Sequence, residues 1–170
     1  MTWKEKNIAK LNSKLLKSMV LKAPKSISSI GFIVDQQSEL NFNDLKKIQD
    51  LISQQFKLSK DLIKGISFEN NNGHASDNDD WFCVKDFSFF GSLKYNSLHE
   101  FVKNDFDLLI IFQNSPNVFL NHVILQSKAG FKAGYESAQN EGIQFELRGN
   151  DFKELSLLQE IEKYLKLLQS

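Results

Sequence analysis

Phe106-Asp107-Leu108-Leu109-Ile110-Ile111-Phe112 is the stretch whose reading decides the fold. A short continuous apolar run bounded by polar residues is what a strand buried on both faces requires. Such strands belong to parallel sheets covered by helices on either side. The run leaves through Gln113-Asn114-Ser115-Pro116 into a segment at 117–129, where Leu120, Val123, Ile124 and Ser127 recur on one helical face. Gly130 stands where a C′ glycine would end that helix.

Upstream, Ser28-Ser29-Ile30-Gly31-Phe32-Ile33-Val34-Asp35 repeats the pattern, a short apolar run closed by an acid. Residues 43–57 follow as a helix, with Asn43 as cap and Leu45, Ile48, Leu51, Ile52 and Phe56 on its apolar face. Leu62 to Phe68 is the next strand, so residues 28–68 read as a right-handed βαβ unit. Residues 69–80 are polar and turn-forming, and residues 81–91 are the most aromatic part of the chain. A short helix at 96–104 then leads to the deciding strand.

Downstream, Phe131 to Tyr135 is a fourth strand and Ile143 to Leu147 a fifth. The residues between them are too few for a helical crossover, which predicts a fifth strand antiparallel to the fourth or paired elsewhere. Residues 151–168 form the last helix, with Asp151 and Glu154 at capping-box spacing. The sum is an α/β fold, a Rossmann-like or flavodoxin-like three-layer sandwich on a mostly parallel sheet of about five strands.

An N-terminal helix precedes it at 4–21, with Ile8, Leu11, Leu15 and Met19 at helical spacing and Pro24 as its stop. Residues 1–25 hold seven lysines and one acid, Glu5, a net +6, and the remaining residues carry −6. This division separates a basic amphipathic arm, 1–25, from a single α/β domain, 26–170. The arm either packs on the domain or engages a partner.

Lys85-Asp86-Phe87-Ser88-Phe89-Phe90-Gly91, Phe106-Asp107-Leu108-Leu109-Ile110, Gln126-Ser127-Lys128-Ala129 and Gly130-Phe131-Lys132-Ala133-Gly134 resemble a bacterial family of uncharacterised α/β proteins. The resemblance covers roughly the whole chain. It implies the α/β fold and brings no activity, cofactor or site residue.

Several function classes lack their residues. After Val34 come Asp35-Gln36-Gln37-Ser38-Glu39, not the glycines that let backbone approach a pyrophosphate. No G-x-x-x-x-G-K-[ST] occurs, and the third strand ends in Gln113-Asn114-Ser115 where a response regulator needs its Asp. His74 with Asp77, Asp79 and Asp80 lacks EF-hand spacing and reads as a solvated loop. His99 and His122 have no acid at ligand spacing and read as structural. Cys83, the one cysteine, can form neither an internal disulfide nor a cysteine-based zinc site. With twenty lysines and only Arg148, bidentate guanidinium chemistry is not a theme. No signal peptide or apolar span is present, and a cytoplasmic protein is expected.

The chain therefore reads as a non-enzymatic interaction protein with no cofactor and no metal. Its partner is expected to be a protein, reached through Lys4, Lys10, Lys14 and Lys17 of the arm or through Trp81, Phe87, Phe89 and Phe90. RNA, the ribosome or an anionic surface are the alternatives for the lysines. Core packing competes with docking for the aromatic stretch. A second reading is a nucleotide- or sugar-binding enzyme using the carboxyl ends of the strands, where Asp35, Glu69, Asn114 and Ser115 fall. In that reading Asp35 and Asn114 face each other where the strand order reverses.

Overall fold

A computed structural model describes residues 1–22, 26–36, 44–69 and 80–170. The strands are β1 Ile30–Asp35, β2 Ile63–Phe68, β3 Trp81–Phe82, β4 Leu108–Phe112, β5 Phe131–Tyr135 and β6 Phe145–Leu147. The helices are α1 Trp3–Ser18, α2 Leu45–Phe56, α3 Asn96–Lys103, α4 Val118–Gln126 and α5 Glu154–Gln169. They build one sheet in the order β3-β2-β1-β4-β5-β6. No helix of the described residues is long and apolar enough to cross a membrane.

The apolar runs are buried on both faces, as their composition requires. Along β1 and β4, Ile30, Phe32, Val34, Leu108, Ile110 and Phe112 join a core with Ile48 and Ile52 of α2 and Leu158 and Ile161 of α5. The alternate residues, Ile33, Leu109 and Ile111, join a second core with Ile8 of α1, Leu98 of α3 and Leu120, Val123 and Ile124 of α4. The result is three layers, with α1, α3 and α4 on one face and α2 and α5 on the other.

Two expectations about the sheet are corrected. It has six strands, because Trp81–Phe82 pairs with Ser67 and Phe68 as a short edge strand. All its pairings are parallel, including β6 on β5, with Ala133 opposite Phe145 and Tyr135 opposite Leu147. The crossover is made without an α-helix. A 3₁₀ turn at Glu136–Ala138 lifts the chain off the sheet, and Gln139 (φ 51°) and Gly142 (φ 74°) reverse it. Gly142 lies against Met19 and Leu125, where a Cβ would stand 2.7 Å from the Met19 sulfur. The return therefore runs over the α1/α4 layer.

Helix ends differ locally from the sequence signals. α1 stops at Ser18, ahead of Pro24, which lies outside the described residues, as does Asn43. Asp44 caps α2 instead, accepting from the Lys47 amide at 2.9 Å. Ser127 ends α4, while Gly130 already leads into β5, its amide bonded to the Phe106 carbonyl at 2.8 Å. Asp151 does not cap α5; it accepts from the Ser156 hydroxyl at 2.8 Å.

Candidate functional site

α1 begins with a capping box, in which the Thr2 hydroxyl accepts from the Glu5 amide and the Glu5 carboxylate accepts from the Thr2 amide. Its inner face is fixed to the domain. Ile8 is fully buried, and Asn12, 2% exposed, donates to the Val118 carbonyl at 3.1 Å. The Lys4 ammonium also turns inward, donating to the Val84 carbonyl at 2.6 Å and standing 5.9 Å above the Phe119 ring. Burial and the neighbouring Lys94 charge hold its pKa below the usual lysine value.

The outer face of α1 is different. Lys6, Lys10, Lys14 and Lys17 stand four, four and three residues apart, which places them on one stripe. All four are exposed, and Glu5, the helix's one acid, is turned to the capping box. Trp3 heads the stripe. Its ring, 73% exposed, stacks on Phe89 with centroids 5.9 Å apart, and Phe89 meets the 83%-exposed Phe90 edge to face. A tight turn presents these rings: the Ser88 amide donates to the Ser92 carbonyl and the Gly91 amide to the Ser88 carbonyl. Gly91, at φ 78°, sits against Leu11 and His122, which holds the turn onto α1 and α4.

A second feature lies over the carboxyl ends of the strands. The order reverses between β1 and β4, and a cavity of about 560 Å³ lies between the start of α1, the start of α4 and the connection that leaves β5. Phe68 at the end of β2, Val118 and Phe119 at the start of α4, and Gln139 and Asn140 after β5 line it. Asn140 donates to Gln113 Oε1 at 3.0 Å, and Gln113 Nε2 donates to the Ser115 carbonyl at 2.6 Å. Among the described residues, no three histidine, cysteine or acidic side chains are placed to hold a metal ion.

Residues 4–168 match the family described as a family of unknown function, DUF6913. The chain belongs to that family. No curated protein and no solved structure matches it. Within this DUF6913 fold the expected residues part company. Lys10, Lys14 and Lys17 share a surface with Phe89 and Phe90, and Lys6 and Trp3 join them. Lys4 is half-buried, Phe87 is fully buried against Phe82 and Phe119, and Trp81 belongs to the edge strand. The signal for Lys6 was the same helical spacing, whereas nothing local to Trp3 announces its stacking on Phe89.

Asp35, 2% exposed, is the last residue of β1, while Asn114 lies two residues beyond the end of the neighbouring β4. Glu69 lies beyond β2, its amide bonded to the Phe82 carbonyl at 2.9 Å, and Ser115 is exposed. None of these four lines the cavity. His74, Asp77 and Asp79 lie outside the described residues. Cys83 is 1% exposed, and burial pushes its thiol pKa up, away from the thiolate a nucleophile needs.

Proposed function

We propose that this protein is a non-enzymatic docking module that engages a protein partner through the outer face of α1 and the aromatic turn beside it. The observation that carries the reading is the meeting of two signals on one surface. Four exposed lysines with no acid among them run along α1 and end at the exposed Trp3, Phe89 and Phe90 rings. Of twelve large apolar side chains exposed among the described residues, eight belong to α1, the residues flanking it or the 89–95 segment. Exposed aromatic side chains rimmed by charge are a feature of interaction sites. The partner's complement is an acidic face bearing an apolar socket.

The strand order, 3-2-1-4-5-6, supports reading the scaffold as Rossmann-like. A cytoplasmic location goes with the proposal.

A photo-crosslinking amino acid placed at position 90, with position 167 on α5 as control, tests the docking reading in cells. A protein adduct formed at 90 alone, and lost when Lys10 and Lys14 are both changed to Glu, is the expected result. Adducts common to both positions, or none at 90, would sink it. Adducts that vanish with ribonuclease, or that are lipid, transfer the surface to RNA or to a membrane.

A further inference from the structure

The lysines on the outer face of α1 have a measurable spacing. A helix rises about 1.5 Å and turns about 100° per residue. Lys6, Lys10, Lys14 and Lys17 therefore follow one another at roughly 6, 6 and 4.5 Å along α1, and with Trp3 they fall within roughly 80° of its circumference. None of the four lysines forms an ion pair among the described residues. The stripe is a straight row of cations without counter-ions that ends at one aromatic cluster.

The main chain of α1 is spent within the helix and its cap: the Lys6 amide donates to the Thr2 carbonyl at 3.0 Å, and the Glu5 amide to the Thr2 hydroxyl at 3.2 Å. An occupant of the stripe therefore meets ammonium groups, lysine stems and ring faces, all of them donors or carbon. An extended peptide laid there would press backbone N–H groups against a row that holds no acceptor for them. A helix brings its own backbone bonds and repeats its side chains at the period of the lysines.

The stripe also has a direction. Trp3 stacks on Phe89 with the ring planes 18° apart, and Phe90 stands 83% exposed beside them, all at the amino end of α1. Along an antiparallel helix, Lys17, Lys14, Lys10, Lys6 and Trp3 face positions 1, 4, 8, 12 and 15 in turn. That order places two carboxylates in the first turn of the facing helix, where its macrodipole favours them. A parallel helix would place two of them in its last turn, against the negative end.

We infer, resting on the docking role proposed for this face, that its partner segment is an α-helix laid antiparallel to α1, with carboxylates at positions 1, 4, 8 and 12 and an aromatic or leucine side chain at 15. The carboxylates meet the lysines and set register and approach. The apolar side chain at 15 walls the socket that receives Trp3 and Phe90 and supplies the buried contact.

Fluorescence anisotropy of labelled synthetic peptides of about 16 residues, titrated with the full chain at about 50 mM salt, tests this. The matched probe carries glutamate at 1, 4, 8 and 12 and phenylalanine at 15, with alanine and glutamine elsewhere. Of three comparison probes, one rings the glutamates around the helix, one reverses the sequence end to end, and one has proline at position 6, which breaks the helix. Saturable binding of the matched probe is expected, at least about tenfold tighter than each of the others and at least about tenfold weakened when Lys10→Glu and Lys14→Glu are combined. No saturable binding of the matched probe, or a ringed, reversed or proline probe that binds as tightly, would overturn the helical occupant. So would matched binding that the double lysine variant leaves unchanged. A protein adduct at position 90 in cells beside any of these failures leaves the docking role standing. No adduct at 90 is the failure of that role itself, and of the helical occupant with it.

Discussion

The His122 imidazole places Nδ1 2.6 Å from Asn12 Oδ1, so the one buried polar side chain of α1 is keyed to the middle of α4. The same amide donates to the Val118 carbonyl at 3.1 Å. Asn12→Leu removes both bonds and leaves a buried imidazole nitrogen without its partner. The expected loss is about 2–3 kcal/mol, read from the urea midpoint at constant slope. Ser13→Ala, one residue along on the exposed face, is the control and should change stability by less than about 0.5 kcal/mol. A loss in Asn12→Leu no larger than the control's would show that α1 is held by its apolar contacts alone.

The other nitrogen of His122 accepts from Gln126 Nε2 at 2.6 Å, and Gln126 Nε2 also reaches the Gly91 carbonyl at 3.4 Å, which links the aromatic turn to the same ring. Burial lowers the His122 pKa, and the Gly91 carbonyl opposes it in part. The unfolded chain titrates near the ordinary histidine value of about 6.5. Below that pH the unfolded state takes up a proton that the folded state resists, so stability falls as pH drops toward the lowered folded value. Between pH 7 and 5 the wild type should lose more unfolding free energy than His122→Gln. Equal losses in the two proteins would assign the acid sensitivity to other groups.

Much of this architecture is legible in the sequence, and the exceptions share a cause. The runs at 30–35 and 108–112 are readable because both of their faces are buried, so apolar residues follow one another without a break. Trp81–Phe82 is not readable as a strand, because two residues inside an aromatic block carry no period. The direction of β6 depends on Gln139 and Gly142 reversing a short connection, and a residue count between strands cannot register that. The lysines of α1 are legible from spacing. The bond from Asn140 to Gln113 is not, since only the pairing of β4 with β5 brings the two side chains within 3.0 Å.

Gly65 stands opposite Phe32 in the β1–β2 register, and a Cβ added there would lie 2.1 Å from the ring. The ring cannot yield easily, since Phe32 is 1% exposed and also meets Phe112 edge to face. Gly65→Ala should cost about 1–3 kcal/mol through this overpacking. Gly130→Ala gives the contrast, because its nearest neighbour is the Asp107 carbonyl at an ordinary 3.5 Å and its φ is not left-handed. That change should raise stability by about 0.4–1 kcal/mol by restricting the unfolded chain. Thermal unfolding of the two variants side by side checks both signs.

Lys132, on β5, is 3% exposed and points its ammonium at the end of α4, donating to the Ile124 carbonyl at 2.6 Å and the Ser127 carbonyl at 3.0 Å. It serves the last carbonyls of that helix, where a cation is favoured. Burial nevertheless pushes its pKa down to about 8. In the unfolded chain the group titrates near 10.4. Below pH 8 both states hold the proton and the burial cost is fully present. Above it the folded state releases the proton first, so unfolding takes one up and stability rises with pH across the window from about 8 to 10. Cys83 acts in the opposite sense in the same range, its thiol pushed up by burial, so the measurement must be differential. The unfolding free energy of wild type minus that of Lys132→Met should rise by about 2 kcal/mol between pH 7.5 and 10. A flat difference would mean that the two carbonyls hold the charged form as well as water does, and that burial of this lysine carries no electrostatic penalty.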